Sequence, residues 1–340
     1  MNGPVSVAAR DPLRRPAVVA LFVAALVVWA LAGPYTIEIL TKLAIFAIFA
    51  LSIDFLVGYT GLVTMGHAGF LGVGAYATAY FGAIHNWPAG LAMALAVVIG
   101  ALVAALVGVF VIRVAGVFFI MVTLAAGMMF NAWASKALLF GRDDGLAGVP
   151  RLNLSAIGID LANSSVFCLF VIAIAALAFV FFERLVGSPF GQTLKAIRQN
   201  ENRVRALGCP VGRYKLAAFV IAGTVAALAG SLHAQQNNFV NPQLAHWMVS
   251  GEGLIFVIVG GMGTLVGPIV GTAVYIVMEE IVSSFAKQHT LIWMGLFFVT
   301  IVLVASDGIY GRFVSLWRGL RRPHRATPGL ALGREASRDA

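Results

Sequence analysis

Long apolar stretches separated by short polar punctuation fill almost the whole chain, and within each stretch the apolar residues are continuous instead of alternating. Continuous runs of this kind predict membrane-spanning helices, because a helix crossing the hydrocarbon layer needs about 20 apolar residues. They argue against a β-barrel, whose strands alternate between lipid and lumen. The runs place helices at 17–33, 37–57, 62–83, 89–112, 116–139, 163–183, 215–234, 249–260, 264–283 and 290–306. The predicted fold class is therefore an all-α polytopic membrane protein of about ten transmembrane helices. The eighth run spans about 18 Å at the helical rise and does not cross the hydrocarbon alone. Merging it with the ninth would put the basic C-terminal segment on the opposite side from the other basic segments, so ten is the better count.

One long polar interruption stands out. Residues 186–215, VGSPFGQTLKAIRQNENRVRALGCPVGRYK, lie between the apolar runs Ser164 to Phe182 and Leu216 to Leu232. The stretch 184–214 is thus predicted to be a structured loop at a membrane surface. Ser188 suits an N-cap and Pro189 the first helical turn, and Phe190, Leu194 and Ile197 then share one face with Lys195 and Arg198 beside it. A second short helix from Glu201 to Leu207 would end at Gly208, with Pro210 enforcing the stop. Such a helical hairpin can fill a groove on a soluble partner. A helix lying on anionic lipid would also be basic and amphipathic, although Asn200, Glu201 and Asn202 interrupt the basic face.

Glycines concentrate in two further stretches. One runs from Gly58 to Gly69 and on to Gly72 and Gly74; the other runs from Gly260 to Pro268 and on to Gly271. Helix breaks are expected at Gly61, Gly66 and Gly69, and at Gly261, Gly263 and Gly267. Five runs precede the outer loop at 140–162 and five follow it, so the pattern reads as two inverted five-helix repeats, each with a glycine-broken helix lining a transport path. The competing reading is close helix packing, since Gly263, Gly267 and Gly271 also form a small-residue face.

Composition agrees with the pattern: 60% of residues are hydrophobic and 11% charged, where soluble domains carry about 25% charged residues. The net charge of +9 points to topology more than to nucleic acid, because 18 of the 23 Lys and Arg residues fall in the N-terminal segment, at Arg113, in the polar island and in the C-terminal segment. This places basic segments 1–16 and 307–340 on the cytoplasmic side, with Lys42, Lys136, Arg142, Arg151 and Lys287 at or beyond the outer boundary. Arg10, Arg14 and Arg15 ahead of the first run, with Ala30-Leu31-Ala32 after it, leave a cleaved leader open beside the preferred uncleaved first helix. No nucleotide-binding glycine loop, H-E-x-x-H spacing or G-x-S-x-G elbow occurs, so catalysis has no support, and Cys168 and Cys209 lack a disulfide or metal partner by position. Polar groups inside the runs are the candidate path residues: Thr64, His67, Asn131, Glu252 and Thr264, with Asp54, Glu279 and Glu280 explained equally by solvation near a boundary. Bland roles compete here too. His67 can bond a carbonyl freed at the break, Glu252 can serve a helix N-terminus, and Asn131 can bridge two helices.

Three segments carry a family resemblance: LSIDFLVGYTGLVTMGHAGFLGVGAYATA (51–79), GQTLKAIRQNENRVRALGCPVGRYKLAAFVIAGTVAALAGSLHA (191–234) and SGEGLIFVIVGGMGTLVGPIVGTA (250–273). With the outer-loop run Asp144 to Pro150, they make residues 40–306 resemble the LivM-type permeases of branched-chain (hydrophobic) amino acid ABC importers. Asp54 stands where many members carry Asn, and the island matches the family's coupling-loop pattern only loosely, through Glu201 and Gly208. The resemblance implies a multi-pass subunit of a bacterial inner membrane, with both termini cytoplasmic. It also implies a second homologous permease, two ATP-binding subunits and a periplasmic or lipid-anchored solute-binding protein as partners. ATP and Mg would then bind the partner ATPases and this chain would need no cofactor. Coupling to the ATPase would fall on Leu194, Ile197, Arg198, Asn200, Glu201, Arg203 and Gly208. Related importers carrying urea, amides or aromatic acids, an ion-coupled secondary transporter and a scaffolding subunit remain alternatives.

Overall fold

The computed structural model describes residues 14–31, 33–152, 161, 163–285, 289–304 and 308–312. The basic end segments, apart from these flanking residues, and part of the 140–162 loop lie outside them. Twelve α-helices are described: α1 (Arg14–Leu31), α2 (Pro34–Thr60), α3 (His67–Ala79), α4 (Ala89–Val111), α5 (Val117–Lys136), α6 (Ser164–Gly187), α7 (Pro189–Gln199), α8 (Glu201–Ala206), α9 (Val211–Asn237), α10 (Trp247–Gly260), α11 (Val266–Phe285) and α12 (Thr290–Val304). Each of the ten apolar runs is occupied by one helix, and the polar island by α7 and α8. Six of these helices, α2, α4, α5, α6, α9 and α11, are long and apolar enough to cross a membrane. The protein is an all-helical, multi-pass membrane protein.

The two glycine stretches do not interrupt helices. They link them. The first occupies 61–66, between α2 and α3, and α3 starts only at His67 and continues into a single π turn at Tyr80–Ile84. The second occupies 261–265, between α10 and α11. Gly61 caps α2 in the left-handed region, at φ 76°, while Gly261 and Gly263 adopt φ 113° and 76°, where a Cβ is disfavoured. Gly69 and Gly267 are helical instead: Gly69 packs against Gly127, and Gly267 lies in the first turn of α11 against the Gly260 carbonyl. Counted along the runs, the first link joins the second and third and the second joins the eighth and ninth, so the links do not occupy equivalent places in two five-helix halves.

Helix α2 is the axis of the bundle. Every residue from Ala44 to Thr60 is buried, and α6, α9, α10 and α11 pack around it. Helices α3 and α9 cross with backbone against backbone: a Cβ on Gly74 would lie 1.9 Å from the Ala227 carbonyl oxygen, and one on Gly230 would lie 1.8 Å from that of Leu71. Helix α4 joins the same seam through Ala92, Ala96, Gly100, Ala104 and Gly108, spaced four apart and all buried. Its opposite face, with Leu102, Leu106 and Phe110, is exposed, as a lipid-facing side would be.

The outer loop is tied down by its own short ladder. Leu146–Ala147 pairs antiparallel with Phe239–Val240, Gly145 and Gly148 make the bends at φ 74° and 81°, and Val149 and Leu152 are buried. Arg151 completes the attachment. It donates to the carbonyls of Gln235 (3.3 Å) and Gln236 (3.2 Å) and to Ser164 Oγ (3.2 Å), and its guanidinium lies 5.3 Å from the Phe167 ring centroid.

Candidate coupling junction and path residues

The hairpin forms because its caps are written locally. The Ser188 side chain accepts from Gly191 N at 3.4 Å at the start of α7, and the Asn200 side chain accepts from Arg203 N at 3.0 Å at the start of α8. Gly208 takes φ 80° two residues after α8 ends. Leu194 and Ile197 are buried against the bundle, and Phe190 stacks on Tyr214 with ring centroids 5.6 Å apart. Their apolar face therefore anchors α7 and does not point outward. Glu201 holds α8 to the root of α9, pairing with Lys215 at 2.6 Å and with Arg205 at 2.9 Å. Asn200, Arg203, Leu207 and Gly208 form the outward surface, and Leu207 is 81% exposed.

Behind that surface the hairpin, the end of α2 and the second glycine link meet. Arg198 Nη1 donates to the Gly58 carbonyl, and its side chain lies against Gly61. Asp54, fully buried one turn earlier, accepts from Gly263 N at 2.6 Å and from Leu265 N at 3.2 Å. Tyr59 donates to the Gly263 carbonyl at 2.8 Å, and Lys195 lies 5.7 Å from the Tyr59 ring centroid. Close contact requires glycine on both sides. A Cβ on Gly58 would come 2.5 Å from Asp54 Oδ1 and 2.6 Å from Gly263 N. A solvated boundary role for Asp54 is thus replaced by a structural one: a carboxylate buried in an apolar bundle is held by amides that the broken link leaves without helical partners.

The other expected path residues are scattered. Thr64 is buried and accepts from Gly66 N at 3.3 Å; Thr264 Oγ1 donates to the Gly261 carbonyl (2.9 Å) and accepts from Gly267 N (2.9 Å), so it closes the turn before α11. His67 is buried between Phe49 and Phe70, and its Nε2 lies 2.9 Å from Ser52 Oγ, so its partner is a hydroxyl and not a freed carbonyl. Asn131 Nδ2 donates to the Pro242 carbonyl at 2.6 Å and bridges α5 to the segment before α10. Glu252 stands in the second turn of α10, whose N-cap is His246, and so does not cap that helix.

Sequence reasoning missed Tyr59 and Lys215 in this assembly, and placed Lys195 on the hairpin without its contact to Tyr59. The available signal was the placement of Asp54 in an apolar run, four residues before one of the two glycine stretches.

Comparison with known proteins identifies the family. Residues 35–306 match the family described as branched-chain amino acid transport system / permease component. The high-affinity branched-chain amino acid transport system permease protein LivM of Salmonella typhimurium is 26% identical over 318 residues, covering 85% of this chain and 74% of the relative. The protein of the same name from Escherichia coli K12 shows the same identity and coverage. The autoinducer 2 import system permease protein LsrC of Photorhabdus laumondii is 29% identical over 163 residues, covering 45% of this chain and 43% of the relative. No solved structure matches. The chain belongs to the family of branched-chain amino acid transport permease components.

Proposed function

We propose that this chain is one of two permease subunits in an ATP-binding-cassette importer for branched-chain amino acids or closely related solutes, and that the α7–α8 hairpin is the surface met by an ATP-binding subunit. The observation that carries the reading is the junction: Arg198 ties the hairpin to the Gly58 carbonyl, and Asp54 ties the same helix end to the amides of the 261–265 link. A displacement of the hairpin therefore reaches α2 and the α10–α11 pair together, through contacts that have little room to slip. The hairpin end of the bundle is cytoplasmic in this reading. The ATP and Mg that drive the cycle bind the partner subunits, and a solute-binding protein delivers cargo at the other end. The transmembrane domain is 17–306, with the coupling loop at 184–214.

The test is purification of the tagged chain in gentle detergent with the products of its native neighbours, followed by reconstitution. Recovery of a second permease and ATP-binding subunits, with leucine uptake that needs ATP, supports the importer. Uptake that survives ATP depletion and collapses with an ion gradient would replace it with a secondary transporter.

A further inference from the structure

Three helices carry charge at the end of the bundle opposite the hairpin. Lys42 Nζ donates to Glu279 Oε2 at 3.1 Å, with the two side chains 44% and 40% exposed. Lys42 lies in the third turn of α2, about 12 Å along the axis from its start, and Glu279 lies about 9 Å from the end of α11. The pair joins two packed helices inside their lengths, and charges within transmembrane helices face a bundle interior or a water-filled path in preference to lipid. Glu252, in the second turn of α10, is half-buried and makes no ion pair among the described residues.

An aromatic layer lies one helical turn further in. Phe46 follows Lys42 on α2, Phe256 follows Glu252 on α10, and Tyr275 precedes Glu279 on the oppositely directed α11, each by four residues. The Phe46 and Phe256 rings are 6.1 Å apart and the Phe256 and Tyr275 rings 4.8 Å apart, both edge to face. His233 of α9 closes the layer 5.9 Å from Phe46. Charge thus sits above an apolar floor.

We infer that these two layers form a subsite for a zwitterion bearing an apolar side chain, on the path that the importer reading requires. Lys42 has three N–H donors and Glu279 engages one at the distance seen, so a ligand carboxylate can join the same ammonium. Glu252 is the carboxylate left to receive the ligand ammonium. The Phe46–Phe256–Tyr275 layer receives the side chain. Recognition by separate charged groups disfavours a ligand lacking either charge, because one of those groups would then gain no partner in place of the water that the ligand displaces.

The inference rests on the importer reading, and the experiment separates the two. The complex that co-purifies is reconstituted in proteoliposomes with saturating leucine-loaded binding protein, and leucine uptake and ATP hydrolysis are measured together. Lys42→Met and Glu252→Gln are each expected to lower leucine carried per ATP hydrolysed at least tenfold, and Lys42→Arg is expected to restore most of it. The exchanged pair Lys42→Glu with Glu279→Lys keeps an ion pair and so the assembly, and is expected to fall with the single variants. Leucine carried per ATP at the unaltered level in the exchanged pair, or in either single variant that co-purifies, overturns the subsite and leaves these charges a structural role. Absence of ATP-driven uptake in the unaltered complex instead overturns the importer reading itself.

Discussion

At the scale of the residue, Asp54 and Arg198 have opposite kinds of importance. Asp54 is buried and satisfies two link amides, so Asp54→Ala leaves both without their acceptor and is expected to cost about 2–4 kcal/mol. Asp54→Asn keeps one acceptor oxygen and should cost roughly half as much. Thermal melting of the purified complex checks both, and equal melting of Asp54→Ala and the unaltered protein would contradict the assigned role. Arg198 is only partly buried and joins two elements that each have other anchors. Arg198→Ala should therefore leave assembly and melting nearly unchanged while lowering uptake per ATP hydrolysed by about tenfold, a loss of about 1.4 kcal/mol of coupling. A coupling ratio equal to that of the unaltered complex would remove Arg198 from the transmission route.

At the scale of the element, the α3–α9 crossing is held by the absence of side chains. Gly74→Leu and Gly230→Leu each drive carbon into a backbone carbonyl of the neighbouring helix, a clash that only separation of the helices can relieve. Both are expected to abolish recovery of the folded chain from the membrane. Gly187→Leu, whose Cβ would meet nothing within 4 Å, should be tolerated. Fluorescence-detected size exclusion of tagged variants distinguishes these outcomes. The helices themselves were legible in the sequence, because an unbroken apolar run and a capping Ser188 act within a few residues. The second glycine stretch was legible as a gap between the runs 249–260 and 264–283, whereas the first was assigned to the run 62–83 and precedes α3 instead. Telling a broken helix from a turn between two helices depends on which backbone amides find distant acceptors, and the acceptor here is Asp54, 209 positions before Gly263.

At the scale of the whole molecule, the direction of a side chain was the least legible quantity. Leu194 and Ile197 read as residues coupling to a partner ATPase, yet they turn inward and fasten the hairpin to the bundle. Lys42, Glu252 and Glu279 read as boundary or capping residues. Their relation became visible only when α2, α10 and α11 were brought side by side. A hydropathy pattern records how deep a residue can lie and is silent about which neighbour it will meet there.

The burial of α2 from Ala44 to Thr60 also bears on how the protein is made. That helix leaves the ribosome early, but α9, α10 and α11, which enclose it, are encoded more than 150 residues later. During synthesis α2 must wait in lipid with Asp54 still lacking its link amides, since Gly263 and Leu265 follow it by 209 and 211 positions. Chains stopped before α10 should consequently insert but stay open to proteolysis near the α2 end, and protection should arrive abruptly once the 261–265 link has been translated. Biogenesis of this bundle is thus governed by its last third, which completes a centre laid down in its first.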